Sequence, residues 1–71
     1  MQVTFDPDTD ALYIRFKDTV IAESDEIRPG FIADVDEQNN IVGLEILDAS
    51  QFLSEPGKVD FIMRPRKRAN R

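Results

Sequence analysis

The chain has 71 residues, a formal net charge of −5, and neither cysteine nor histidine. This length allows one domain, and the composition excludes disulfides, thiolate metal centres and the usual histidine-based zinc and iron sites. Because a chain this short buries only about 60% of its unfolded surface, we expect extra stability from association, with a homodimer as the expected state.

The charge is divided unevenly along the chain. Residues 1–57 hold 13 acidic and 3 basic side chains, whereas residues 58–71 hold 6 basic and 1 acidic. We predict one domain at 1–57, followed at 58–71 by an apolar segment and a basic, disordered tail. No signal peptide or membrane-spanning apolar run is apparent, so we expect a cytoplasmic protein with no membrane contact.

Period-two alternation of apolar residues predicts strands in the first half of the domain. Val3 and Phe5 mark the first strand, and apolar residues at 12, 14 and 16 mark the second, after an aspartate-rich turn. Residues 20–27 are expected to form a more polar edge strand. Arg28-Pro29-Gly30-Phe31 then has the residues of a type II turn.

The second half continues the pattern and ends in a different signal. Residues 32–36 and 41–47 predict two more strands around an Asn-containing turn, and the apolar 41–47 strand is expected at the centre. Gly43 within it indicates a bulge or a close backbone approach. Asp48 and Gln51 have the spacing of a capping box, which predicts a short helix from Asp48 to just before Pro56.

The predicted fold class is α+β: a small antiparallel β-meander of about five strands followed by one short helix. Leu47 and Phe52 would form a hydrophobic staple around the helix start. Farther along, Val59, Phe61 and Met63 alternate again. They predict either a sixth strand near 59–63 or a protein interface with another chain.

Acidic residues provide the first candidates for chemistry. Asp6, Asp8 and Asp10 resemble the start of an EF-hand loop, but the glycine and glutamate that this loop requires are missing. An aspartate-rich turn is favoured, with weak cation binding as the alternative. Asp34 and Asp36 share a strand face, and a solvated acidic face is the expected interpretation. Without histidine to act as a base, we predict that the protein is not an enzyme and has no cofactor.

The basic tail is the candidate for contact with nucleic acid or a partner. Its cations are Arg64, Arg66, Lys67, Arg68 and Arg71. Such residues give salt-dependent affinity for phosphates. No aromatic residue lies among them to stack on bases, however, and the acidic body would repel a duplex.

Several motifs resemble the domain-of-unknown-function family numbered 2283. The N-terminal motif runs from Phe5 to Ile14 (FDPDTDALYI), and a C-terminal one runs from Ile41 to Ser50 (IVGLEILDAS). Between them come AESDE at 22–26, Pro29-Gly30 and Asp34-Val35-Asp36, so the resemblance covers roughly residues 2–53. It implies a small cytoplasmic β-sheet protein with one helix, no established activity, and a suspected antitoxin-like role.

These observations leave three functional hypotheses. The leading one is a self-associating protein-binding module, antitoxin-like toward a small basic protein. The alternative is a nucleic-acid-associated regulator that binds through the basic tail. A carboxylate-based hydrolase or metal-dependent enzyme is the least favoured, because it would need carboxylates converging in an apolar cleft.

Overall fold

The computed structural model describes residues 1–67, which form one five-stranded antiparallel sheet. The strands are β1 (Gln2–Asp6), β2 (Ala11–Arg15), β3 (Glu23–Arg28), β4 (Phe31–Val35) and β5 (Ile41–Ile46). Their order across the sheet is β1-β2-β5-β4-β3. The predicted antiparallel meander is confirmed, with β5 at the centre and β3 at an edge.

Tight turns connect most of the strands, and residues suited to positive φ occupy them. Gly30, at φ 83°, has the conformation that the third position of a type II turn requires. Asn39 and Asp10 adopt φ 67° and 55° in the other two hairpins, a conformation that Asn and Asp tolerate better than most residues. These turns fix the register of β1 with β2 and of β3 through β5.

The connection from β2 to β3 passes around the end of the sheet to the opposite edge. Arg15 organises this crossover, because its guanidinium donates to the carbonyls of Lys17 at 2.9 Å and Thr19 at 2.6 Å. The backbone N–H of Phe16 also donates to the carbonyl of Val42 at 2.8 Å. The crossover is thereby attached to the central strand before the chain reaches β3.

The hydrophobic core lies on one face of the sheet. Leu12, Ile46 and Ala49 are buried there. Around them pack the partly buried side chains of Phe5, Ile14, Phe31, Leu44 and Leu53. Complete burial of a large apolar side chain stabilises a fold by about 1.5–3 kcal/mol, so this small cluster provides limited stability.

The predicted helix is wrong: residues 1–67 contain no α-helix, and only a single 3-10 turn, Ala49–Gln51, follows β5. Asp48 adopts a left-handed conformation (φ 51°, ψ 48°) and makes no side-chain cap hydrogen bond. An N-cap residue needs extended φ and ψ to accept from the first helical turn, so the expected capping box does not form. Phe52 stacks edge-on against Phe31 instead, with ring centroids 4.8 Å apart.

The predicted sixth strand is also absent from the described residues, since 59–63 form no strand. Two of the alternating residues, Phe61 and Met63, are 72% and 79% exposed and have no strand beside them in this chain. Within residues 1–67, no helix has the length and apolar character needed to cross a membrane.

Candidate functional site

The polar face of the sheet carries a hydrogen-bonded group of three side chains, from β2, β3 and β4. The Tyr13 hydroxyl donates to Oδ2 of Asp34 at 2.6 Å, and the Ser24 hydroxyl donates to Oδ1 of the same carboxylate at 2.6 Å. Asp34 is only 8% exposed. We call these residues the Tyr13–Asp34–Ser24 cluster; it joins three strands across the top of β5.

Gly43 makes this cluster possible. Tyr13 lies on β2 and Asp34 on β4, so the tyrosine ring must pass over β5 to reach the carboxylate. A Cβ at residue 43 would lie 2.9 Å from Tyr13 Cζ and closer still to the hydroxyl, a distance that real Cβ atoms essentially never show. The predicted close approach at Gly43 is therefore confirmed, and a β-bulge adjoins it between the Asp34 and Val35 pairings.

The chemistry available to this cluster is hydrogen-bond donation to a carboxylate. The hydrogen bond to Asp34, reinforced by burial and by the negative charge of Asp34, raises the pKa of Tyr13 above 10.0. The phenol thus stays protonated at neutral pH and is not a base there. Each of the two oxygens of the Asp34 carboxylate accepts a hydrogen bond from one hydroxyl, which is how a buried carboxylate is normally stabilised.

Asp36, the second predicted acidic residue, is also buried, and its carboxylate accepts hydrogen bonds from the backbone of the turn that follows β4. Its Oδ1 accepts from the backbone N–H groups of Asn40 at 2.9 Å and Gln38 at 3.0 Å. These bonds, that of Asn40 first, hold the pKa of Asp36 below its usual value of 3.8. The expected solvated acidic face is wrong for both carboxylates, because each is occupied by hydrogen bonds that shape the sheet or its turn.

The aspartates of the first turn do not converge on a cation. Asp6 accepts from the backbone N–H of Asp8 at 2.9 Å, and Asp10 turns toward Ser50, whose hydroxyl donates to it at 2.6 Å. Among the described residues, no group of three or more acidic side chains is arranged to hold a metal ion. Asp6 therefore accepts a hydrogen bond from the backbone of its own turn, and Asp10 accepts one from the turn after β5.

The segment 59–63, which we call the C-terminal apolar segment, lies in the open. Val59, Phe61, Ile62 and Met63 are exposed by 58%, 72%, 76% and 79%. The start of this segment and the residues before it line a groove on the apolar face, together with Val3, Ile14 and Phe16 of the sheet and the strand end beside it. The predicted interface residues are thus accessible, and they follow directly after the part of the chain that covers the core.

The cations of the tail extend beyond this segment. Arg64, Arg66 and Lys67 are exposed. Arg68 and Arg71, the other two predicted contact residues, lie outside the described residues. The single ion pair found within residues 1–67 joins Arg15 to Asp18 at 3.7 Å, so Arg64, Arg66 and Lys67 form none with the acidic body that the structure describes.

Sequence reasoning missed two relationships: the Tyr13–Asp34–Ser24 cluster and the contact of Asp10 with Ser50. A signal for the first was present, because a glycine in the most apolar strand indicates that something large crosses it. The partner of Asp10 lies 40 positions away. No local pattern could have identified it.

The fold and its sites define a small antiparallel β-sheet domain with a buried polar cluster and an open apolar segment. The model of the family described as protein of unknown function (DUF2283) matches residues 2–50. The chain belongs to this family, as its motifs indicated. It has no match among curated proteins and none among solved structures.

Proposed function

We propose that this protein is a non-enzymatic, cytoplasmic protein-binding module that self-associates, with a homodimer as its basic state. The observation that carries the proposal is the exposure of Phe61, Ile62 and Met63, each more than two-thirds exposed in a single chain. Consecutive large apolar side chains in water are a mark of an interaction surface. Burying them against a second copy removes apolar area from water and favours association.

The modest core supports the same proposal. Val42 is the one large side chain below 2% exposure among the described residues, and the other core members are few or small. A domain of this size without a disulfide or metal commonly gains stability from oligomerisation. The apolar segment offers surface for that purpose without any rearrangement of the sheet.

Sedimentation equilibrium of the full chain tests the proposal. The wild type should dimerise, and the double variant Phe61→Ser/Met63→Ser should shift toward monomer because it removes the exposed apolar contacts. Val20→Ser is the matched control, since Val20 is 78% exposed but lies in the β2–β3 connection. A wild type that stays monomeric at all concentrations, with no specific protein recovered in pull-downs, would overturn the proposal.

An antitoxin-like role is the narrower form of this function. The body has 13 acidic and 3 basic residues over 1–57, a balance that favours a small basic protein partner through complementary potentials. Affinity purification from the native host with mass spectrometry tests it. Recovery of a small basic protein, lost at high salt, would support this role, whereas recovery of only the chain itself would restrict the function to self-association.

Nucleic-acid binding is the second candidate, favoured by the exposure of Arg64, Arg66 and Lys67. It predicts DNA or RNA affinity that falls steeply with salt and disappears when residues 64–71 are deleted. Fluorescence anisotropy with a labelled duplex and a labelled single strand at low salt measures it. Absence of binding by the full chain under those conditions would exclude this candidate.

A further inference from the structure

We propose that the β3 edge of one copy receives residues 63–67 of a second copy as an added antiparallel strand. This inference rests on the proposed self-association and names the surface that accepts the tail. β3 ends the sheet on one side, and all six of its residues are exposed. An edge strand of this kind presents unpaired backbone groups that can accept another strand.

The hydrogen-bonding direction of β4 shows which β3 backbone groups are free. The backbone N–H of Leu47 donates to the carbonyl of Gly30, and the backbone N–H of Asp36 donates to the carbonyl of Asn40. The backbone N–H and C=O groups of the even-numbered residues from 30 to 36 therefore point toward β5. Because these groups alternate along a strand, the backbone groups of Ala33 and Val35 point toward β3. There they form hydrogen bonds with the backbone groups of the residues opposite, Asp25 and Glu23. The free N–H and C=O groups of the edge therefore belong to Ser24 and Glu26.

The tail has a matching backbone pattern. Pro65 has no N–H and is tolerated in a strand only where its nitrogen faces away from the partner. Arg64 and Arg66, on either side of it, then direct their N–H and C=O groups toward the partner strand. Their spacing of two residues equals that of Ser24 and Glu26 on the edge.

One antiparallel register satisfies both strands and also the side chains. It places Arg64 opposite Glu26, Arg66 opposite Ser24, and Pro65 at a position that needs no hydrogen bond. On the other face, Met63 then lies beside Ile27, which is 52% exposed and is the extra residue at the β-bulge between Glu26 and Arg28, and Lys67 lies opposite Glu23. Opposite charges and apolar residues thus meet in cross-strand pairs, the pairs that stabilise antiparallel sheets.

The charges identify β3 rather than β1 as the receiving edge. Glu23 and Asp25 form no ion pair with the cations described in residues 1–67. On β1 the single acidic residue is Asp6, whereas β3 carries three, of which Glu26 accepts from the N–H of Gly30 at 3.2 Å through one oxygen, Oε2. In addition, Pro56, Gly57 and Val59 of the same chain lie beside Val3 and Phe5 and border that edge. Only β3 is both free and complementary to a basic strand.

A charge exchange in the full chain tests the register. Glu26→Lys and Arg64→Glu should each weaken dimerisation by roughly tenfold, because each puts like charges opposite one another, and the double variant should recover most of the loss. Asp25→Lys is the matched control on the same strand, and Arg64→Glu should not rescue it. Sedimentation gives the dissociation constants, and circular dichroism confirms that each variant keeps its sheet.

Disulfide trapping gives a second readout, since the wild type contains no cysteine. The variant Ile27→Cys/Met63→Cys should oxidise to a covalent dimer, whereas Val3→Cys/Met63→Cys should not. A dimeric wild type with no charge rescue, or equal trapping in both variants, would overturn the inference and leave self-association standing. A disulfide formed within one chain would assign the tail to its own sheet. A monomeric wild type would overturn both this inference and the self-association on which it rests, and if pull-downs also recovered no specific protein it would overturn the proposed function itself.

Discussion

The carboxylate of Asp10 accepts hydrogen bonds from both the backbone N–H and the hydroxyl of Ser50, at 3.1 Å and 2.6 Å. The Asp10 carbonyl also accepts from the N–H of Ala49 at 2.9 Å. One residue in the first turn thereby orients the turn that follows the last strand. Ala49, completely buried, is held against the core by this arrangement.

Replacing Asp10 should loosen that turn. Asp10→Ala removes the acceptor for Ser50 and also puts alanine at φ 55°, so we expect a loss of about 1–2 kcal/mol in the free energy of unfolding. Asp10→Asn, which keeps one acceptor oxygen and tolerates the left-handed conformation, should lose less. Urea denaturation measures both. Asp8→Ala, in the same turn, is the control and should change stability by less than about 0.5 kcal/mol; equal losses at residues 8 and 10 would refute the role of Asp10.

A methyl group at Gly43 should be damaging. Gly43→Ala drives a Cβ into the Tyr13 ring, and because backbone and ring are both held, we expect a loss of about 1–3 kcal/mol. Gly57→Ala is the matched control, since a Cβ there would lie 3.8 Å from Phe5 Cδ2, an ordinary contact. Thermal unfolding compares the two. If Gly43→Ala proved as mild as Gly57→Ala, Tyr13 would have to lie elsewhere.

The Tyr13 hydroxyl should contribute to stability below alkaline pH and lose its contribution above it. The pKa of Tyr13 is raised above 10.0, chiefly by its hydrogen bond to Asp34, so the folded state holds this proton more tightly than the unfolded state. The contribution of the Tyr13 hydroxyl to the free energy of unfolding is fully present at pH values below the pKa of tyrosine in the unfolded chain. It is lost as the pH rises through the higher pKa that Tyr13 has in the folded state. Tyr13 is the only tyrosine and there is no tryptophan, so tyrosinate absorbance reports its ionisation directly.

Removing that hydroxyl tests the same hydrogen bond by mutation. Tyr13→Phe leaves Asp34 with one donor in place of two, and we expect a loss of about 1–3 kcal/mol for the under-satisfied buried carboxylate. The alkaline loss of stability should shrink in this variant. Denaturation midpoints across the pH range give both quantities. An unchanged midpoint at neutral pH would show that the hydroxyl contributes nothing.

Asp36 should make folding sensitive to acid. Its pKa is lowered by the N–H groups of Asn40 and Gln38, so its contribution is present above the unfolded value of 3.8 and is lost as pH falls through the folded pKa. Asp36→Asn should therefore reduce the acid dependence of stability. Carboxyl NMR titration measures the pKa itself, and an ordinary value for Asp36 would contradict the hydrogen bonding in the Asp36–Asn40 turn.

The parts of the fold that local chemistry determines could be predicted from sequence. Alternation identified the strands, and Gly30 and Asn39 marked turns that need positive φ. The helix could not be judged locally, because Asp48 takes a left-handed conformation while Asp10, from a distant turn, bonds to the residues after it. The capping-box pattern depends only on residues 48 to 51, so it could not indicate that the distant Asp10 carboxylate would accept the Ser50 N–H in place of a local cap.

The candidate site depended on strand order, which periodicity does not encode. Tyr13 and Asp34 meet only because β5 lies between β2 and β4 and carries a glycine where the ring crosses. Sequence reasoning identified Gly43 as unusual and Asp34 as a candidate, but it could not connect them. The exposed apolar residues at 61 and 63 were identified as interface candidates from alternation alone, and whether they bind a partner stays a prediction.

The position of β5 between β2 and β4 also constrains the order in which the protein can fold. The β3–β4–β5 hairpins pair neighbours in sequence and can form early, whereas Leu12 and Ile46 are 34 residues apart and meet only when β2 docks on β5. Loop closure makes such distant pairings slow. During synthesis, the β1–β2 hairpin must therefore wait, with one side unpaired, until the ribosome has released β5.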